Sequence, residues 1–253
     1  MAGSAFVCGG VAGAAGILAT QPLDTLRIRM QTKSGGANAS SLLREAGMRG
    51  LYAGIGAPLA TAGARSACIF LGYDAALKSI GGQSPLDHAL AGAIGALAAV
   101  PITNPTEIVK CHAQLVGATA PRGSGLATEW NLLRNLLRQG GPQSLLVGLP
   151  LTAVRDMTYR STHFALYELM AQTLEGKSRK QSGGPRPWHI CLTCGCIAGV
   201  VAWLPVYPID VVKTHWQTGR RFGATTLSGM LQRGLQAEGP GWLTKGAAPT
   251  LMR

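Results

Sequence analysis

Three copies of one short pattern constrain the fold of this 253-residue chain more than any other feature. The copies occupy residues 21–31, 104–114 and 207–217. In each copy a proline is followed two residues later by an acid, three residues after that by a base, and at the end by a glutamine. A pattern that recurs in this way indicates tandem copies of one structural unit.

Each copy lies at the carboxyl end of a long apolar run. Residues 1–23, 89–106 and 190–209 contain no Asp, Glu, Lys or Arg. About 20 apolar residues span the hydrocarbon core of a bilayer. Charged residues make up only 13% of the chain, whereas a soluble domain has about 25%. A soluble helical solenoid would need polar outer faces, so these runs predict membrane helices.

A second, weaker repeat follows each copy. Residues 45–54 resemble residues 238–246, and both segments end in glycine, whereas residues 138–148 form a divergent middle copy. The apolar stripe of residues 130–138 predicts a short helix before the middle copy. We expect such helices to lie along the membrane surface.

These landmarks divide the chain into three repeats, each with a long helix, a polar loop that carries the surface helix, and a second long helix. We place the repeats at residues 1–80, 81–175 and 176–253. The third repeat is incomplete, because only seven residues follow Gly246. The expected fold is therefore all-α, with only the start of a sixth helix. Five complete membrane helices are expected near residues 3–31, 55–79, 85–115, 148–174 and 187–218.

The proline-acid-base pattern resembles the signature of the mitochondrial carrier family, and the resemblance covers the whole chain. It implies a pseudo-threefold bundle of six helices around one central substrate site. It also implies alternating access and a multi-pass location in the mitochondrial inner membrane, and we expect a monomer. Residues 105–111 and 203–208 look closest to the ornithine and carnitine branch of the family.

The charges of the motif form the first candidate site. Residues three apart lie on one helix face, and a charge inside a membrane is costly unless it is paired or hydrated. The resemblance implies a ring of six charges that closes the matrix end of a cavity. The implied pairs are Asp24 with Lys110, Glu107 with Lys213, and Asp210 with Arg27. A static ion network that only fixes the fold is the alternative interpretation.

The other repeated residues of the motif have expected roles beside this ring. Each glutamine lies seven residues beyond an acid, on the same face, and is expected to brace the pairs. Each proline removes a helix hydrogen bond, which predicts a kink. The glutamines are Gln31, Gln114 and Gln217, and the prolines are Pro22, Pro105 and Pro208.

An opposite gate is less well supported by the sequence. The family pattern there is an aromatic residue, an acid and, three residues after the acid, a base. Asp74 and Glu168 each follow a tyrosine, but Leu77 and Ala171 stand at the base positions. Lys78 comes one place late. We therefore expect a weak lock at this gate.

The second long helices carry the candidate substrate contacts. The seventh residue after each repeat glycine is Thr61, Arg155 or Arg253, and Asp156 follows Arg155. An arginine-acid pair at this level resembles the pair found in family members that carry amino acids and carnitine. An arginine fork pairs a carboxylate at two points, and the acid pairs a cationic nitrogen. The alternative is that Arg155 and Asp156 only neutralise each other.

Further cations modify this interpretation. Arg65 occupies a position where ornithine-type carriers tend to have an acid, which argues against ornithine, lysine or arginine as the solute. Tyr159 and Arg160 resemble a pair found in ADP/ATP carriers. The excess of positive charge favours a solute with additional anionic character.

The leading function is therefore exchange of a small zwitterionic or anionic metabolite, similar to an amino acid or an acylcarnitine. Alternatives are a carrier of S-adenosylmethionine or a nucleotide-like solute, a proton or anion leak protein of the same fold, and a non-transporting adaptor. An enzyme is not expected, because no nucleophile-base pair or metal constellation is evident. We expect no cofactor and no metal.

The net charge of +12 bears on partners. The basic residues are dispersed and no nucleic-acid module is evident, so nucleic acid is not expected. A basic membrane protein attracts anionic lipid, and we expect a cardiolipin-like partner.

Overall fold

The computed structural model describes residues 2–32, 44, 47, 50–82, 84–116, 126–180, 186–219 and 224–251. All regular structure in these segments is helical, which confirms the all-α fold class. The α-helices, in chain order, are α1 (Ala2–Thr32), α2 (Gly56–Ile80), α3 (Pro85–Val116), α4 (Leu126–Gly140), α5 (Leu149–Lys180), α6 (Trp188–Gln217), α7 (Leu227–Glu238) and α8 (Ala247–Leu251).

The five long helices α1, α2, α3, α5 and α6 are the ones predicted from the apolar runs and from the alignment of the repeats. Their ends lie within one residue of the predicted ends, except that α5 continues to Lys180 instead of ending near residue 174. The added turns contain Glu175, Lys177 and Lys180, residue types with good helix propensity. The polar composition of this segment therefore does not end the helix.

The turns that precede α5 and α8 repeat one geometry. The short helices α4 and α7 are each followed by a 3₁₀ turn, Pro142–Leu146 and Pro240–Thr244 respectively. The repeat glycines Gly148 and Gly246 then take φ of 71° and 79°, and Gly54 before α2 takes 76°. Glycine adopts this left-handed region without steric cost, which explains its recurrence at this point of the repeat.

The chain forms two compact units. The first comprises residues 1–67, 101–152 and 207–253 and contains many buried polar side chains, among them those of the repeated motif. The second comprises residues 68–100 and 153–206. Its buried positions are mostly small, as at Ala91, Ala198 and Ala202.

The exposed faces of the second unit are apolar. In α3, Ala91 and Ala96 are buried, whereas Leu86 and Leu90 are 74% and 56% exposed. Small residues inside and large apolar residues outside are typical of helices that pack closely within lipid. By length and composition, the segments Pro85–Leu115 and Trp188–Gln217 are each able to cross a membrane.

Each motif proline lies inside a helix that continues through it. Pro22 lies in α1, Pro105 in α3 and Pro208 in α6. The bend expected at each proline stays a prediction.

Candidate functional site

The six motif charges meet in the first unit, which brings together α1, α3 and α6. The Nζ atom of Lys110 lies 2.5 Å from Oδ2 of Asp24. The other two ion pairs are Lys213 with Glu107 and Arg27 with Asp210. Each base therefore binds the acid of a different helix, in one cyclic order, as the resemblance implied. We call these six residues the ring.

The ring is largely shielded from solvent. The side chains of Lys213 and Asp210 are 3% and 2% exposed, and that of Glu107, the most exposed of the six, is 21% exposed. Removing one partner of a buried pair leaves a charge that neither water nor protein stabilises. The two partners of each pair therefore depend on each other's presence.

The three motif glutamines connect the same helices. Nε2 of Gln31 donates to Oδ2 of Asp210, 3.4 Å away, and to the Tyr207 hydroxyl, 3.2 Å away. Gln114 on α3 donates to Thr25 on α1 at 3.1 Å. Gln31 thus contacts an acid of the ring directly, whereas the bond of Gln114 reaches the residue beside Asp24.

Gln217 follows the pattern of Gln114. Its amide donates to Oδ1 of Asn104 at 2.9 Å, and Asn104 also accepts from the Thr152 hydroxyl at 2.5 Å. Gln217 lies on α6 and Asn104 on α3, so this bond has the same cyclic direction as the ion pair of Lys213. The glutamines therefore support the helix contacts around the ring.

A further set of functional residues was missed from the sequence. The residue before each motif proline donates to the backbone carbonyl of the residue before the repeat glycine, at 2.5 to 3.5 Å. These bonds join each ring helix to the turn of its own repeat. The signal was a polar side chain at this position in all three copies. The donors and acceptors are Gln21 and Ala53, Asn104 and Val147, and Tyr207 and Lys245.

The repeat glycines are also required by close packing. A Cβ atom on Gly54 would lie 2.9 Å from the Lys110 carbonyl oxygen, and one on Gly246 would lie 3.1 Å from the Arg27 carbonyl oxygen. Such contacts are shorter than ordinary van der Waals separations. Each turn can therefore approach a ring base only because it carries glycine.

The predicted substrate residues of the first repeat lie on α2, in the first unit. The Thr61 hydroxyl donates to the Ala57 carbonyl at 2.9 Å and accepts from Thr106 at 3.2 Å. Arg65 is half-buried. Arg253 lies outside the described residues.

The predicted substrate residues of the second repeat lie on α5, in the second unit. Nε of Arg155 donates to Oδ1 of Asp156 at 2.8 Å, and Nη2 donates to the same oxygen. The Tyr159 ring lies 5.1 Å from the Trp203 ring, and the Arg160 guanidinium lies 5.7 Å from the Tyr159 ring. A charge pair and an aromatic pair therefore lie on successive turns.

The two acids of the expected opposite gate both have cationic partners. Asp74 binds Lys78 of the same helix at 2.6 Å, in an exposed pair. Both oxygens of Glu168 accept from Arg186, at 2.8 and 2.9 Å. Arg186 lies between the expected helices at residues 148–174 and 187–218, so sequence reasoning missed it.

The comparison with protein families agrees with this geometry. The family described as "Mitochondrial carrier protein" matches the chain three times, at residues 2–84, 81–178 and 184–253. The chain is a member of the mitochondrial carrier family. This carrier is accordingly a multi-pass protein of the mitochondrial inner membrane that exchanges small solutes.

Curated relatives of the carrier are named as mitochondrial transporters of amino acids or of carnitine. It is 37% identical to a mitochondrial arginine transporter of Arabidopsis thaliana, over 86% of this chain and 74% of that protein. It is 29% identical to a mitochondrial basic amino acids transporter of Bos taurus, over 98% and 85%. It is 30% identical to a mitochondrial carnitine carrier of Saccharomyces cerevisiae, over 98% and 81%.

Proposed function

We propose that this carrier exchanges a small zwitterionic or anionic metabolite, similar to an amino acid or an acylcarnitine, by alternating access. The observation that supports this most is the ion pair between Arg155 and Asp156 on a membrane helix. A buried arginine beside an acid provides one group for a carboxylate and one for a cationic nitrogen.

Binding of a zwitterionic solute would replace one ion pair within the protein by two ion pairs between protein and solute. Without solute, Arg155 and Asp156 neutralise each other. A zwitterion can take both partners, because its carboxylate binds Arg155 while its cation binds Asp156. A solute with a single charge would leave the other partner buried and uncompensated, which is unfavourable. This difference would provide selectivity for zwitterions.

The relatives support this class of solute. Arginine and carnitine, the solutes named for two of them, each combine a carboxylate with a cationic nitrogen. Thr61, Arg65 and Arg253 stand at or near the matching sequence positions of the other repeats. We propose that they contribute to recognition together with Tyr159 and Arg160.

A basic amino acid is a second candidate. The 37% identity to an arginine transporter favours it. Arg65 opposes it, because a fixed cation repels the second positive charge of a dibasic solute. The leading class of solute is therefore a zwitterion with one carboxylate and one cationic nitrogen, or a zwitterion that also carries an additional anionic group.

We also propose that the ring is the matrix gate, which opens when its three pairs separate. The buried pairs and the glutamine contacts support this role. The motif prolines would bend α1, α3 and α6 so that their ends can meet. In this proposal the repeats that move are residues 1–80, 81–175 and 176–253.

A lipid partner and the oligomeric state complete the proposal. The net charge of +12 supports binding of an anionic, cardiolipin-like lipid. We propose that the functional carrier is a monomer. Native mass spectrometry of the protein extracted in mild detergent would measure both, through the mass of the protein and of each retained lipid.

A solute panel tests the substrate class. Bound solute raises the unfolding temperature by mass action, so carnitine, neutral and basic amino acids, S-adenosylmethionine, nucleotides and keto acids are compared in one thermal-shift series. We expect the largest shift with a zwitterion, and the same solute should be exchanged by proteoliposomes. A nucleotide as the best solute would contradict the proposal, and a keto acid as the best solute would favour the anionic class over the zwitterionic one.

A further inference from the structure

Glu168 on α5 is held by a base that does not belong to its own helix. Arg186 binds both of its oxygens, through Nη1 at 2.9 Å and Nη2 at 2.8 Å. Gln172 donates to the same carboxylate at 2.9 Å, and the Arg186 guanidinium lies 5.7 Å from the Tyr167 ring. The Glu168 side chain is only 9% exposed. The Arg186 side chain is 32% exposed, so the pair is a two-point contact in which the acid is buried and the base is partly exposed.

The pair crosses the boundary between two repeats. Glu168 belongs to the second repeat, whereas Arg186 lies two residues before Trp188, where α6, the first long helix of the third repeat, begins. At the position where a base is expected for Glu168, three residues later, the chain has Ala171. The pair of Asp74 with Lys78 differs, because it stays within one helix and is exposed.

A two-point pair across such a boundary is sensitive to motion. Two parallel N–H···O bonds impose strict distance and angle requirements. Transporters built from repeats change access largely by rigid-body movement of repeats against one another. In this structure the ring is also closed, with the third repeat bound to the second through Lys213 and Glu107. Movement of the third repeat against the second would disturb both the pair of Arg186 with Glu168 and the pair of Lys213 with Glu107.

We propose that Arg186 and Glu168 form a conformational latch, which holds α5 to the start of α6 while the ring is closed and releases in every exchange cycle. This inference rests on the alternating access proposed above. Arg186 is then a positioning residue that acts on the rate of the conformational change and does not touch the solute.

A charge swap tests whether the pair matters. Arg186→Glu places two acids together, so the ring-closed state loses stability and becomes less populated. We expect kcat for exchange to fall at least fivefold while KM changes less than twofold. The double variant Glu168→Arg with Arg186→Glu should return kcat to within twofold of the parent. Unaltered exchange in the single variant, or no recovery in the double variant, would overturn the proposal.

A cleavable cross-link tests whether the latch releases. The native cysteines are first replaced by serine, and Glu168→Cys and Arg186→Cys are joined by a bifunctional thiosulfonate reagent. Release in every cycle requires that the cross-link stop exchange and that reduction restore the rate of the untreated double-cysteine variant. Exchange that continues in the cross-linked protein would show a permanent tether and refute the latch. The replaced residues are Cys8, Cys68, Cys111, Cys191, Cys194 and Cys196.

A matched control cross-link joins Leu169→Cys and Thr173→Cys, two exposed positions one turn apart on α5. It uses the same reagent within one helix and should leave exchange unchanged. All variants are measured with a solute that the parent carrier exchanges. Failure of the proposed substrate class therefore appears in the parent, whereas failure of the latch appears only in the variants.

Discussion

Pairing between helices explains how this carrier keeps charged residues inside a membrane protein. Arg27, Lys110 and Lys213 each bind an acid on another helix, and all three pairs are buried or nearly so. Desolvation makes each charge costly by itself, and the mutual attraction offsets this cost only while both partners are present. A ring of this kind is stable when closed and sensitive to the loss of any member.

Truncation of one ring base tests this dependence. Lys110→Ala leaves the buried Asp24 carboxylate without that cation, and we expect a loss of about 3–5 kcal/mol of stability, measured by thermal unfolding together with exchange in proteoliposomes. The double variant Asp24→Lys with Lys110→Asp should recover most of the lost stability. Lys78→Ala is the control, because that exposed pair should contribute no more than about 1 kcal/mol. Equal effects of Lys110→Ala and Lys78→Ala would contradict the ring.

Substitutions at Arg155 and Asp156 test the solute contacts. Loss of one partner of a desolvated, hydrogen-bonded charge pair costs about 2–5 kcal/mol, which is more than a tenfold loss of affinity. We therefore expect Arg155→Ala and Asp156→Ala to fold, as judged by unfolding temperature, but to lose exchange. Arg65→Glu should shift preference towards dibasic amino acids. Parental rates in both alanine variants would show that these residues are not the contacts.

Among the structural elements, the turns before the second long helices have the most demanding geometry. Each turn ends in a glycine with left-handed φ, and each is bound by the polar residue before a motif proline. These bonds join the turn to a ring helix of the same repeat. The contacts of Gly54 and Gly246 with ring helices leave no room for a side chain.

A pair of glycine substitutions separates these two requirements. Gly54 and Gly81 have φ of 76° and 74°, so alanine at either costs about 1–2 kcal/mol of backbone strain. Only at Gly54 would the new Cβ approach the Lys110 carbonyl, which adds about 1–3 kcal/mol of overpacking. Thermal unfolding should show Gly54→Ala to be clearly the less stable variant. Equal melting temperatures would mean that the turn moves away freely.

For the whole molecule, the interior differs between the two compact units. The first buries charged and polar residues around the ring, and the second buries small apolar residues while exposing leucines. A soluble protein would show neither pattern so strongly, since apolar residues would dominate its interior. Lipid makes the exposed leucines favourable, and pairing makes the buried charges tolerable.

Exchange and leak give different results for the whole carrier. Solute binding should supply the free energy that separates the ring pairs, so an empty carrier should seldom change access. We expect uptake into vesicles that contain no counter-solute to be at least about tenfold slower than exchange, a barrier difference of about 1.4 kcal/mol or more. The measurement uses labelled solute with and without internal solute. Equal rates would favour the leak function.

Much of the fold follows from features that are local in the sequence. The lengths of the apolar runs predicted three of the five long helices, and the alignment of the repeats predicted the other two. The threefold motif predicted which charges share a face. Which helices pair was implied by the family resemblance instead, and its pairs of Asp24 with Lys110 and Glu107 with Lys213 are present. Run length, helical periodicity and the cost of burying a charge act over short stretches of chain, so they can be read from residue order.

Other contacts were decided only by the tertiary structure. Residue order did not indicate that Arg186 binds Glu168 or that Gln217 binds Asn104. Each depends on which side chains reach the same point once helices have packed. Only the packed arrangement brings these side chains together, because a hydrogen bond requires donor and acceptor to lie within a few tenths of an ångström of their ideal separation.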